Sequence, residues 1–146
     1  MGELDKSIAQ VLEIYKSAVY AKDVDALMYL YDQGVRVFDA WGVWSYEGSD
    51  AWRRSVEGWL ASLGSERVRV SFEDVKATMA REFAFVSAIV TYAGVSAGGE
   101  PLRAMQNRLS WVLRPSGHAL RIVHEHTSAP VGFEDMKAIL QRETTK

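Results

Sequence analysis

MQNRLSWVLRPSGHALRIVHEHTSAP, residues 105–130, reads as two long strands joined by a tight turn. Side chains alternate along a strand, so Met105, Asn107, Leu109, Trp111 and Leu113 share one face of the first strand. By the same rule Leu120, Ile122, His124 and His126 share one face of the second. Both rows are mainly apolar and so point to the core. Both turn polar at one end, at Asn107, His124 and His126, and an inward row that turns polar is the pattern of a pocket. Pro115-Ser116-Gly117 supplies the turn. On the reverse faces Arg108, Ser110, Arg114 and Glu125 point outward, with Arg108 and Glu125 a candidate ion pair between neighbouring strands.

The rest of the composition suits a globular fold around that hairpin. The chain has 146 residues, 48% hydrophobic and 25% charged, with five Trp, six Tyr and five Phe. This length fits one domain, residues 1–146. A net charge of −2 and the lack of clustered Lys and Arg argue against nucleic-acid or anionic-membrane binding. The absence of Cys excludes disulfides, thiolate metal sites and cysteine nucleophiles. No apolar run approaches the ~20 residues of a membrane helix. The first residues, MGELDKSIAQ, lack the basic and apolar regions of a signal peptide, so a cytoplasmic protein is expected.

Before the hairpin, residues 4–21 carry an apolar stripe at helical spacing: Leu4, Ile8, Val11, Leu12, Tyr15, Ala18 and Val19. Tyr15 points inward on it, either as a core tyrosine or as a pocket hydroxyl. Asp23 caps a second helix, expected over Val24–Asp32. Val35, Val37 and Asp39 then share one face of a strand. Asp39 ends an apolar row, so it is either a pocket acid–base group or the cap of the next turn. The following AWGVWSYEG is rich in rings, and Trp41, Trp44 and Tyr46 form either a pocket lip or a dimer contact. Ser49 is expected to cap a third helix to about Leu63, burying Trp52, Val56, Trp59 and Leu60. From Arg67 onward the pattern is strand. Its apolar phase shifts between Phe72 and Val75, the mark of a β-bulge. Phe83–Val95 is apolar on both faces, so it is covered on both sides. Phe133, Met136, Lys137 and Leu140 predict a short C-terminal helix.

Three segments carry a family resemblance: AVYAKDVDALMYLYDQGVRVFDAWG (18–42), EGSDAW (47–52) and RLSWVLRPSGHALRIVHEHTSAP (108–130). They resemble the NTF2-like superfamily and, within it, the SnoaL-like group. The association domain of calmodulin-dependent protein kinase II has a similar ending. The resemblance covers nearly the whole chain. It implies an α+β cone, in which a curved antiparallel sheet wraps over three N-terminal helices and leaves a cavity at the wide end. It also implies a homodimer through the outer face of the sheet.

The ketosteroid isomerases within this superfamily place a tyrosine on the first helix and a general-base aspartate after the first strand. By position Tyr15 matches the tyrosine, Asp39 the base, and Asn107 stands where a second, protonated acid belongs. The resemblance thus implies a cofactor-free isomerase, dehydratase or cyclase acting on a small molecule. In it Asp39, His124 and His126 move protons, and Tyr15 and Asn107 hold the developing oxyanion. Trp41, Trp44, Tyr46, Trp59 and Trp111 are candidate ligand contacts. The alternative is a module of the same fold that binds a ligand or assembles without turnover. His124, His126 and Asp39 have a zinc-like inventory, but two imidazoles on one strand are seldom enough, and no metal is expected.

Overall fold

A computed structural model describes residues 5–142; Leu4, at the start of the first predicted helix, lies outside them. Helix α1 spans Lys6–Ala21. The Asp5 side chain accepts from the Ser7 amide, and Lys22 ends the helix in a left-handed conformation. Ile8, Val11, Leu12, Tyr15, Ala18 and Val19 are its buried stripe, as the spacing predicts.

Asp23 caps α2, Val24–Met28, through the Ala26 amide at 3.0 Å. This helix is shorter than its sequence suggests, because the strand β1, Tyr31–Phe38, begins sooner. Leu30 accepts from the Ile122 amide at 2.7 Å, so sheet pairing captures residues that could have extended the helix. After β1 come the two-residue strand β2, Tyr46–Glu47, and α3, Ser49–Ala61. Gly48, at φ 90°, occupies the N-cap of α3 without a side-chain bond, so Ser49 is the first helical residue and not the cap.

Strands β3 (Arg67–Met79), β4 (Ala84–Val95), β5 (Pro101–Ser116) and β6 (Ala119–Ser128) form the antiparallel body of the sheet. The order is β2-β1-β6-β5-β4-β3, a curved and unclosed sheet, with β1 parallel to β6. α1 lies against β3 and β6, and α3 against β1 and β2. Val37, Val86, Val90, Leu109, Trp111, Leu113 and Ile122 fill the space between helices and sheet.

Register shifts occur in four of the strand pairings, and two of them decide which side chains face inward. The first lies in β3, where pairing with β4 shifts between Glu73 and Lys76 and Asp74 has φ 54°, matching the phase change in the sequence. The second is in β6. Leu113 pairs with Ile122, but the adjacent Val112 pairs with His124, so Val123 is the extra residue. A one-residue extra reverses every later side chain. Glu125 and Thr127 therefore turn inward, and His124 and His126 turn to the outer face, the opposite of strict alternation from Leu120. The outward place expected for Glu125 is likewise reversed, and its ion pair with Arg108 is not formed: Arg108 bonds Ser128 instead, at 3.0 Å.

The C-terminal segment also departs from its spacing. Residues 133–135 form a turn, Val131 bridges to Ala138, and no helix forms in the described part of the tail. The chain instead uses its backbone as a strand would. Beyond the last β5–β6 pair, Arg108–Ser128, the Gln106 amide donates to the Leu140 carbonyl at 2.6 Å. Gln141 bonds the Ala104 carbonyl, and Arg142 pairs with Glu73 at 2.9 Å. Phe133 and Met136 are left in solvent.

Candidate functional site

The concave face of the sheet and the helices enclose a cavity of about 460 Å3. Every element except α2 and β1 contributes. α1 gives Tyr15, α3 gives Trp52, Ser55 and Trp59, β4 gives Tyr92, β5 gives Met105 and Asn107, and β6 gives Glu125. Asp39, Trp41 and Tyr46 come from the segment after β1.

Two carboxyl groups face this space. Glu125 is 2% exposed. Its Oε1 accepts from the Tyr31 hydroxyl at 2.5 Å and from the Trp111 indole N–H at 2.9 Å. Burial pushes its pKa up to about 7; the two hydrogen bonds oppose that shift, and the charge of Asp39 adds to it. Burial also raises Asp39, while the Thr127 hydroxyl and the Trp41 amide pull the other way. Thr127 donates to Asp39 Oδ1 at 3.0 Å and accepts from the Ala40 amide at 2.9 Å. This one hydroxyl therefore fixes both the acid and the start of the aromatic loop to the end of β6.

Tyr15 and Tyr92 face one another across the cavity wall, with hydroxyls 2.9 Å apart. Burial holds both well above the usual tyrosine range, so both stay protonated and able to donate. Rings form much of the wall. Tyr46 meets Trp52 edge-on at 5.1 Å, and Trp59 meets Tyr92 at 6.1 Å. Trp41, 55% exposed, borders the opening.

Of the residues nominated from sequence, the cavity gathers Tyr15, Asp39, Asn107, Trp41, Tyr46 and Trp59. His124 and His126 are not among its lining. The Nδ1–H of His124 donates to the Arg36 carbonyl at 2.9 Å, and both imidazoles stack edge-on against Phe38 on the outer face. The Val123 bulge is the reason. His126 borders a second, more open hollow with Phe38, Asp39 and Trp44. Trp44 is 96% exposed and stands outside the main cavity. Trp111 is fully buried behind the wall, where it packs on Tyr15 and Phe72 and orients Glu125. Among the described residues, no three His, Asp or Glu side chains gather as metal ligands would.

Sequence reasoning passed over Glu125, Tyr92 and Trp52. Trp52 stands on the buried stripe expected for α3, and Tyr92 lies in Phe83–Val95, a strand apolar on both faces whose inward side the pattern leaves open. Glu125 was hidden by the bulge; the adjacent apolar pair Ile122-Val123, either of which could face the core, is the one local sign that the phase can change there.

A curved sheet folded over helices, with a cavity at its open end, defines the NTF2-like class. The solved structures agree. An NTF2-like protein of unknown function from Pseudomonas putida superposes with a TM-score of 0.81 at 20% identity, covering 94% of each chain. Aln2 from a Streptomyces species gives 0.76 at 15% identity, covering 84% of this chain and 87% of the other. A Xanthomonas campestris protein provisionally assigned as a calcium/calmodulin-dependent protein kinase II association domain gives 0.73 at 12%, covering 88% and 89%. The chain belongs to the SnoaL-like domain family, whose model matches residues 8–132. No curated protein matches the sequence.

Proposed function

We propose that the cavity performs acid–base chemistry on a small molecule without a cofactor, as an isomerase, dehydratase or cyclase does. The observation that carries this reading is the convergence of Asp39 and Glu125 on one cavity, both with raised affinity for protons. Isomerisation and dehydration need one group to take a proton from carbon and another to return one. Asp39, held by Thr127 near the opening, is the better base. Glu125 near pH 7 is divided between acid and carboxylate, so it can donate or accept. The Tyr15–Tyr92 pair and the Asn107 amide supply donors for an oxygen that becomes negative.

Binding without turnover has one observation in its favour: the Tyr15 hydroxyl already has a partner in Tyr92. A homodimer through the outer sheet face belongs to the same proposal. That face carries the exposed Phe85 paired with the half-buried Val112, and the half-buried Ile89 further along β4. A cytoplasmic setting is also part of this reading; among the described residues no helix is long and apolar enough to cross a membrane.

The test is a ligand screen read by thermal shift, followed by deuterium exchange into each hit. A ligand at 100 times its Kd raises stability by about 2.7 kcal/mol. Solvent deuterium should enter hits with the wild type and not with Asp39→Asn. Hits that bind but never exchange would leave the module reading in place.

A further inference from the structure

We infer that the cavity's ligand is an organic ammonium ion that also carries an oxygen acceptor. The inference rests on the cavity being a ligand site, and it concerns the charge and polarity of what enters.

The walls come first. Tyr15, Trp41, Tyr46, Trp52, Trp59 and Tyr92 all line the space. Aromatic rings attract cations over their faces, most strongly Trp and most strongly away from water. The fixed charges point the same way. Asp39 and Glu125 are the interior ionisable acids, and no Lys or His side chain lines the cavity. The single cation in the lining, Arg103, is at the rim. It is bound to Glu66 at 2.5 Å and its side chain is 63% exposed. An anion entering this space would meet rings and carboxylates. An ammonium ion would offset the repulsion that Asp39 exerts on Glu125, and would let both carboxyls ionise at lower cost.

One unpaired polar atom points to a ligand independently of charge. Asn107 is 6% exposed and lines the cavity, and its Oδ1 has no donor. Buried polar atoms without partners are rare in folded proteins because each costs about 1–3 kcal/mol. An ammonium N–H is the kind of donor Oδ1 lacks. A hydroxyl or carbonyl oxygen is the acceptor for the Tyr15–Tyr92 pair, in which one hydroxyl donates to the other and the second keeps a hydrogen to give.

Three probes with one skeleton separate charge from shape: 2-amino-1-phenylethanol, a cation at neutral pH; 1-phenyl-1,2-ethanediol, neutral; and mandelate, an anion. Isothermal titration should show the amine binding at least about tenfold tighter than the diol, the value expected for one desolvated cation–π contact. Mandelate should be weakest. Glu125→Gln and, independently, Asp39→Asn should each shrink the preference for the amine, while His126→Ala leaves it intact. If the diol binds as tightly as the amine, or mandelate binds tighter, the ammonium assignment is wrong although the cavity still binds ligands. If none of the three binds the wild type more tightly than Ser55→Trp, which fills the cavity, the ammonium assignment and the ligand-site reading both fail.

Discussion

Trp111 on β5 donates its indole N–H to Glu125 on β6 across 2.9 Å, with both residues sealed from solvent. The contact joins the most buried ring of the fold to the acid of the cavity. Core packing and the candidate chemistry therefore share a hydrogen bond, and several measurable consequences come from it.

Glu125 should make the protein less stable as pH rises. Its folded pKa of about 7 lies above its ordinary 4.5, so the folded state holds the proton more tightly than the unfolded chain. That contribution is complete below pH 4.5 and is lost as pH climbs through about 7. Asp39 has the same sign. The groups that face Glu125 are Tyr31 from β1, Trp111 from β5, Asp39 beyond β1, and the hydroxyls of Tyr15 from α1 and Tyr92 from β4. Thermal midpoints from about pH 5 to pH 8 should fall for the wild type and fall less for Glu125→Gln, which should be the more stable of the two at the upper end. Parallel curves for the two proteins would refute this.

Trp111→Phe removes the indole donor while keeping a ring. We expect a loss of about 1–3 kcal/mol in urea unfolding from the lost bond alone, with lost packing adding to it. The Glu125 titration should also move upward, because a donor to its charged form has gone. A stability loss with no movement of that titration would mean that Trp111 acts through packing only.

Asp39→Asn should abolish carbon–hydrogen exchange in any ligand found for the cavity, a loss of ~10²–10⁴-fold in rate. The same change should leave the thermal midpoint within a few degrees, since an amide oxygen can still accept from Thr127. A collapse in stability would instead make Asp39 a structural residue.

His124→Ala and His126→Ala test the phase of β6. Both imidazoles pack on Phe38 outside the cavity. Each change should alter ligand affinity by no more than about twofold and cost under ~1 kcal/mol. A tenfold loss of affinity in either would place an imidazole in the cavity and overturn the inward assignment of Glu125.

The fold was legible because periodicity survives in most elements. The stripe of α1, the row Val35-Val37-Asp39, the bulge after Phe72 and the inward row ending at Asn107 all appear where alternation puts them. The phase change in β3 could be read because Ser71 and Asp74 contrast with their apolar neighbours. The phase change in β6 falls between Ile122 and Val123, two residues that satisfy the core equally, so alternation had nothing to register. Everything after that point, including His124, Glu125 and His126, stands one residue out of phase with strict alternation. The tail failed for a different reason. Phe133, Met136 and Leu140 have helical spacing, but the free edge of β5 at Ala104 and Gln106 offers backbone partners, and a sequence pattern does not report an unfilled edge.

The Val123 bulge thus has two effects that cannot be varied separately. It bends the sheet over the helices, and it chooses which of two interleaved side-chain alphabets, imidazole or carboxyl-and-hydroxyl, the interior reads. Among relatives of this fold, a one-residue gain or loss at that corner would exchange the interior's acid–base repertoire wholesale without altering one residue beyond it. Aligned by residue type alone, a chain lacking the bulge would set its inward side chains against the outward ones of this chain, on the opposite side of the sheet.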